Sequence, residues 1–288
     1  MKPIRQILFV PPAPLVWANH IGAFAARGVA VETTLTLSSD QIGQGLAEGT
    51  WDLGIGVVDN VIAWNTERGT DLKIIAQFER STVMRFLCVP SYSTVTDAAA
   101  NVIAVDSASN GFVLVLYRAL ARAGIDWRKC RFDRVGGVRQ RFEAMQAGKA
   151  AAAILVPPFD GMARAQGFKQ LWDGAEIAPH YPGVVAAVRA QWLRENEAAA
   201  RAYVDALRDA NEWAARPENN AAARAALVAA RYSEEAAERL ARDRVPGLQP
   251  SRQGWDEVVA LRRECGLLPS PAPRWDDVVD ARFLAAAG

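Results

Sequence analysis

The sequence has few of the residues that build metal centres and redox sites. Its 288 residues include three cysteines and two histidines. Cys88, Cys130 and Cys265 stand far apart, and none belongs to a CxxC pair or to a Cys/His cluster with the spacing of metal ligands. We therefore predict no metal site, and unpaired cysteines that act as small buried hydrophobes or as surface thiols.

The sequence also lacks a strong charge of either sign and the common nucleotide-binding and hydrolase motifs. The net charge is +1, which gives no indication of a nucleic-acid partner or of an anionic membrane surface. No GxGxxG follows the first predicted strand, and no GxxxxGK[ST], HExxH or GxSxG occurs. Gly136 and Gly137 stand alone, without the further glycines of a nucleotide loop. We predict no cofactor and no nucleic acid.

Long apolar runs are missing as well. No stretch reaches the about 18 uncharged apolar residues that a membrane span requires. The first residues, MKPIRQILFV, lead directly into a strand and then into PPAP, without the apolar segment of a signal peptide. We expect a cytoplasmic protein as the sequence stands, or a periplasmic one if a signal peptide has been removed.

What is present is a regular alternation of apolar strands and helices. Apolar residues make up 51% of the sequence, an ordinary globular balance. Residues 4–10, 29–35 and 53–58 are predicted strands, the first and the last of them apolar enough to be covered on both faces, and glycine-capped helices ending at Gly28 and Gly49 separate them. Strand, helix, strand, helix and strand in that order predict βαβ units and a parallel sheet.

A similar unit occurs twice, which predicts two lobes. LAEGTWDLGIGVVDN (46–60) is a helix end, a short apolar strand and an abrupt stop, and RQRFEAMQAG followed by AAAAILVPPFD (139–160) repeats the plan. We predict an α/β protein in which residues 1–89 and 184–288 form the first lobe and residues 90–183 the second. A ligand cleft would lie between them, and the residues after 190 would form a helical C-terminal extension.

Polar residues follow the predicted strands where open α/β sheets tend to hold ligands. The strongest candidates are the small residues after strand 101–105, namely Ser107, Ser109, Asn110 and Gly111. They could offer hydrogen-bond donors to an anion, or Ser109 or Asn110 could simply cap the next helix. Asp59 and Asn60 occupy the equivalent place in the first unit, with capping and ligand contact left open.

Other candidates lie beside these strand ends. Pro12, Trp17 and Asn19 follow the first strand, and Trp17 is either a flat wall of the cleft or part of the core. Tyr181 stands near the return crossing, where it would border the cleft. Pro157 and Pro158 would form a rigid apolar rim.

Four ordered segments resemble a known family. They are GAFAARGVAVE, LAEGTWDLGIG, NVIAVDSASNG and FEAMQAGKAAAAILVPP. Together they are similar to substrate-binding proteins with the type 2 periplasmic binding fold, in particular the NMT1/THI5-like set that serves uptake of nitrate, sulfonate, taurine and thiamine pyrimidine. The resemblance implies that residues 12–19, 58–60 and 107–111 contact the ligand, with Pro157 and Pro158 on the far rim. The chain departs from the family at Ala151, where an aspartate is usual.

The resemblance implies a binding protein for a small anionic or aromatic organic solute, working with an ABC permease. The rival is a cytosolic enzyme in the same cleft, either like a lyase or decarboxylase or related to pyrimidine-precursor synthesis. Near the strand ends only Asp59, Asp106 and His20 could move protons. Both aspartates stand beside predicted helix starts, which would favour their charged form. We therefore expect binding without reaction.

Overall fold

Ten β-strands form the frame of the computed structural model, which describes residues 2–283. The strands are β1 (Ile4–Leu8), β2 (Val31–Leu35), β3 (Leu53–Gly56), β4 (Leu72–Gln77), β5 (Arg85–Cys88), β6 (Val102–Val105), β7 (Arg131–Arg134), β8 (Ala152–Leu155), β9 (Lys169–Asp173) and β10 (Val185–Arg189).

Helices connect the strands and make up the regular structure of residues 190–283. They are α1 (Ala13–His20), α2 (Ala23–Ala26), α3 (Ser39–Glu48), α4 (Val58–Glu67), α5 (Val95–Ala99), α6 (Val113–Arg122), α7 (Val138–Gln146), α8 (Phe159–Ala165), α9 (Gly174–Ile177), α10 (Ala190–Glu195), α11 (Glu197–Ala215), α12 (Asn220–Ala229), α13 (Glu234–Arg242), α14 (Arg252–Glu264) and α15 (Trp275–Val278). None of the helices in residues 2–283 has the length and apolarity that crossing a membrane requires.

The strands form two five-stranded sheets of the same design. The strand order is β2-β1-β3-β10-β4 in the first sheet and β7-β6-β8-β5-β9 in the second. Parallel pairs make up one half of each sheet, and one strand of opposite direction, β10 or β5, is inserted in the other half. The predicted two-lobe α/β fold is confirmed, as is the placement of residues 101–105 in a different sheet from residues 4–10.

The predicted boundary between the lobes is wrong by one strand. Residues 85–88 were expected in the first lobe, but β5 pairs with β8 and β9 in the second sheet. All four residues of β5 are buried. A strand covered on both faces carries no pattern that tells which sheet it joins. The first crossing between the lobes therefore lies before Arg85.

Helix α3 approaches β3 closely because glycine stands in the strand. A Cβ on Gly54 would lie 2.8 Å from side-chain carbons of Ile42 and Leu46. The helix ends as predicted at Gly49, whose φ of 76° is the left-handed conformation that favours glycine. Two glycines therefore determine how α3 and β3 meet: Gly54 allows the close packing, and Gly49 ends the helix.

The C-terminal helices cover the first sheet and also reach the second lobe. Helix α11 packs against α1 and α2, and the Tyr203 ring stacks on Phe24 with centroids 5.4 Å apart. Helix α14 lies against α4 of the first lobe and against α6 of the second. The C-terminal extension therefore contacts both lobes.

Candidate functional site

A cavity of about 110 Å³ lies between the two sheets. Its walls come from the ends of strands in both lobes and from the helices that follow them. The lining residues are Phe9, Val10, Ile55, Gly56, Val57, Asn60, Ala104, Val105, Asp106, Ser107, Asn110, Gly111, Phe112, Val113, Leu116, Gly137, Val138, Arg141, Ile154, Val156 and Val184. The walls are mostly apolar, with a small number of polar groups, as in many small-molecule sites.

Arg141 is the cation of this cavity. It lies on α7, in the second lobe, and its residue surface is 6% exposed. No ion pair or side-chain hydrogen bond reaches its guanidinium from residues 2–283, and its buried Nε has no partner there. Burial lowers the pKa of Arg141 to about 10, while Asp106 acts in the opposite sense. The guanidinium remains charged at neutral pH and is open to an anion.

Two asparagines add further polar groups to the lining. Asn60 comes from the first lobe and Asn110 from the second, and each residue is 5% exposed. The side-chain oxygen of each is buried without a hydrogen-bond donor from residues 2–283. Ser107 also lines the cavity, but its Oγ already accepts the Ser109 N–H at 3.2 Å.

Behind the cavity wall lies a fully buried ion pair. Asp59 on α4 accepts a hydrogen bond at Oδ1 from Arg262 Nη1 at 2.9 Å, and at Oδ2 from the Gly111 N–H at 2.5 Å. Asp59 is 0% and Arg262 3% exposed. Complete burial raises the pKa of the Asp59 carboxyl, while Arg262 and the Gly111 N–H act against that rise. Both carboxylate oxygens are therefore occupied within the protein.

Two more contacts join the lobes at the rim of the cavity. The Ser39 N–H at the start of α3 faces the Asp106 carboxylate of the second lobe, at 3.3 and 3.4 Å from its two oxygens. The Gly137 N–H donates to the Leu37 carbonyl at 2.7 Å. A Cβ on Gly137 would lie 2.6 Å from the Phe9 ring, so glycine permits this close approach of the lobes.

The structure brings several predicted residues together at the cavity. Asn60, Ser107, Asn110 and Gly111 line it. Three more predicted residues lie next to these and outside the lining: Ser109 is in the same loop, Asp59 binds Gly111, and Tyr181 packs edge-on against Phe112 with ring centroids 6.2 Å apart.

Five other predicted residues lie away from the lining. Trp17 is 0% exposed in the first-lobe core, where its Nε1–H donates to the Ala223 carbonyl at 2.9 Å. Of the two alternatives for Trp17, a wall of the cleft or part of the core, the structure favours the core. Pro12 precedes α1, and Asn19 is exposed on it. Pro157 and Pro158 follow β8 beyond Val156, which does line the cavity.

Of the two alternatives left open at the helix starts, capping is not found. Neither Asp59 nor Asn60 caps α4, because the helix already begins at Val58 and both side chains point elsewhere. Neither Ser109 nor Asn110 caps α6, which follows Phe112. The expected anion donors of the loop are also engaged, since the N–H groups of Ser109 and Gly111 donate to Ser107 and Asp59.

Arg141 was missed because arginine is ordinarily a surface residue. The signal was nevertheless present in the spacing of α7. Val138, Phe142 and Met145 form its buried stripe, and Arg141 stands on the same face, three residues after Val138. A charged residue inside an apolar stripe indicates a site that needs that charge.

The family follows from comparison with known proteins. The chain matches the model of the NMT1-like family over residues 7–229, most of its length. The chain belongs to the NMT1-like family. This confirms the resemblance found in the sequence. No curated protein shows significant sequence similarity to this NMT1-like chain.

Solved structures share the fold along the whole chain. A protein from Bordetella bronchiseptica RB50 has a TM-score of 0.81 at 16% identity, covering 99% of this chain and 96% of that one. The alkanesulfonate-binding protein of Xanthomonas axonopodis pv. citri, bound to MOPS, has a TM-score of 0.76 at 19% identity, with coverages of 97% and 100%. The periplasmic nitrate-binding protein of Synechocystis PCC 6803 has a TM-score of 0.75 at 16% identity, with coverages of 98% and 87%. At these identities the likeness establishes the fold.

Proposed function

We propose that this NMT1-like protein binds a small organic anion in the cavity between its lobes, as the substrate-binding component of an ABC importer. The observation that carries the proposal is the Arg141 guanidinium, which is buried in the cavity wall with its Nε unpaired and without an ion pair from residues 2–283, although the Asp106 charge acts on it from further away. A buried charge without a partner is costly. An anionic ligand would supply the missing partner.

The rest of the cavity fits a small ligand with an apolar part. Phe9, Phe112 and Val156 are among the apolar lining residues that surround the polar groups. The volume of about 110 Å³ is somewhat below the roughly 150 Å³ that accommodates benzene in an engineered cavity. We therefore propose a carboxylate or sulfonate with a short aliphatic chain in preference to a large aromatic acid.

The geometry favours binding over catalysis. Among the described lining residues, the titratable side chains are Asp106 and Arg141. Asp59, the other predicted proton carrier, has no exposed surface and holds Arg262 and the Gly111 N–H. His20 lies on the surface beside the Trp213 ring. A general acid and base facing each other across the cavity would be needed for the enzyme alternative.

The importer role draws on the relatives. The two named structures above bind alkanesulfonate and nitrate, and both ligands are anions. We infer that the partner of this chain is an ABC permease and that it works in the periplasm. Co-purification with an ABC permease produced in the same cells, from membranes supplied with the transported acid, tests the inferred partnership.

Matched probes test the anion site directly. Butyrate and butyramide have nearly the same shape and differ in charge, and propanesulfonate provides the second acid. A ligand that binds the native state alone raises the melting temperature. We expect butyrate and propanesulfonate to raise the melting temperature and butyramide to leave it unchanged, because a neutral amide does not neutralise the buried charge of Arg141.

The variant Arg141→Met removes the cation and keeps an unbranched side chain. Loss of a hydrogen bond to a charged group is worth about 1.5–3 kcal/mol, so the acids should bind roughly 10- to 100-fold more weakly. The ligand-free variant should be at least as stable as the original, because an unpaired buried charge has gone. Arg139→Met, an exposed change on the same helix, is the matched control. Equal responses to butyrate and butyramide would show that Arg141 does not select an anion.

A further inference from the structure

Two carboxylates reach across the boundary between the lobes in opposite directions. Asp59 of the first lobe accepts the Gly111 N–H of the second, and Asp106 of the second lobe faces the Ser39 N–H of the first. Gly111 and Asp106 both line the cavity. The contacts thus join the lobes where a ligand would be enclosed.

Asp59 does more than form an ion pair with Arg262, because its carboxylate also binds the opposite lobe. Arg262 occupies one of its oxygens, and the other is used by a backbone group of the opposite lobe. Separating the lobes would leave that second oxygen buried without its donor or would expose the pair to water. Either result costs free energy, since a buried charged group needs all its hydrogen bonds.

The chain contains an internal comparison for this arrangement. Asp52 accepts the Arg5 N–H at 3.0 Å and is paired with the Arg5 guanidinium at 2.7 Å. The chemistry is the same as at Asp59, a carboxylate shared between an arginine and a backbone N–H. Both partners of Asp52 lie on β1 of its own lobe, so no contact between lobes depends on it.

Helix α14, which carries Arg262, also forms ion pairs with the second lobe. Arg118 on α6 pairs with Glu264 on α14 at 2.8 Å and with Glu257 on the same helix. Helix α14 is therefore attached to α4 through Arg262 and to α6 through its glutamates. This double attachment holds Arg262 beside the boundary where Asp59 meets Gly111.

We propose that Asp59 and Asp106 are positioning residues that fasten the two lobes together around the cavity, with Arg262 holding Asp59 in place. This role differs from proton transfer, which the sequence suggested for both aspartates, and from the helix capping and ligand contact that it left open for Asp59. It also makes the C-terminal extension part of the closing device. The inference does not depend on which solute the cavity binds.

Hydrogen exchange at the Gly111 amide measures the fastening directly. In the unaltered protein we expect this amide to be protected, because its N–H donates to a buried carboxylate. Asp59→Asn should speed its exchange about 10- to 100-fold, the loss expected when a hydrogen bond to a charged group is weakened. Asp52→Asn should leave the Gly111 amide unchanged. Asp106→Ala should speed exchange at the Ser39 amide in the same way.

A second variant covers the case in which Asp59→Asn does not fold with Arg262 left unpaired. The double change Asp59→Leu with Arg262→Met replaces both partners by apolar groups, which is often tolerated in a core. It should fold and still lose protection at Gly111. The proposal is overturned if Gly111 exchanges in the unaltered protein at the rate of an unstructured peptide. It is equally overturned if the folded Asp59 variants keep full protection.

Discussion

Glu79 offers a sharp test of the electrostatics of the crossing between the lobes. It lies between β4 and β5, and its carbonyl accepts hydrogen bonds from Gln77 Nε2 at 2.8 Å and from the Gly183 N–H at 3.2 Å. Burial raises the pKa of its carboxyl to about 7, against the opposing effects of Arg239 and of the Ala13 N–H at the start of α1. Glu79 in turn contributes to raising the pKa of Tyr232.

The direction of the pH effect follows from linkage. The folded protein holds the Glu79 proton more tightly than the unfolded chain, whose pKa is near the ordinary 4.5. The contribution of this proton to the free energy of unfolding is fully present below about pH 4.5 and is lost as the pH rises through about 7. At 1.36 kcal/mol per pKa unit, the whole contribution is about 3 kcal/mol. Asp59, whose pKa is also raised, changes stability in the same direction.

The variant Glu79→Gln isolates the contribution of Glu79, because glutamine resembles the protonated acid. Denaturant unfolding at pH 5 and at pH 8 gives the free energy of unfolding of both proteins. We expect the variant to be more stable by less than about 1 kcal/mol at pH 5, where the loss has only begun, and by up to about 3 kcal/mol at pH 8. A difference between the two proteins that is the same at both pH values would refute the reasoning.

Two further substitutions probe the close contacts and the core. Gly137→Ala is compatible with its φ of −63° but places a methyl group against Phe9, so small-angle scattering should show a larger radius of gyration. Gly161→Ala is its control, since a Cβ there would lie 3.7 Å from Ser233, and it should stabilise by up to about 1 kcal/mol. Trp17→Phe removes the indole hydrogen bond to the Ala223 carbonyl and shrinks a fully buried side chain, so it should lower the unfolding free energy by about 1–3 kcal/mol, with butyrate binding unchanged.

Most of the fold could be predicted because each element carries a local signal. Apolar runs marked the buried strands, and glycines marked helix ends, as the left-handed Gly49 and Gly148 show. Serine is a common residue before the first turn of a helix, and the Ser233 Oγ accepts the Ala236 N–H at the start of α13. The sheet that β5 joins could not be predicted, because its pairing partners lie far away along the chain.

The candidate site was only partly predictable, for a related reason. The loop after β6 was found since small polar residues directly after a buried strand are a local pattern. Arg141 and the partner of Asp59 depend on contacts between distant segments, and Arg262 is 203 residues from Asp59. Local propensity left helix capping and ligand contact open for Asp59, and the tertiary ion pair with Arg262 engages its carboxylate instead.

The insertion of β10 into the first sheet has a consequence for biosynthesis. Strands β3 and β4 do not pair with each other, because β10 lies between them. Until residue 189 has left the ribosome, β3 and β4 of a growing chain each have an edge without a partner. Exposed edges of this kind attract other strands, and such distant pairings form slowly. We therefore expect fragments that end before β10 to be aggregation-prone and dependent on chaperones, even though they contain four of the five strands of that sheet.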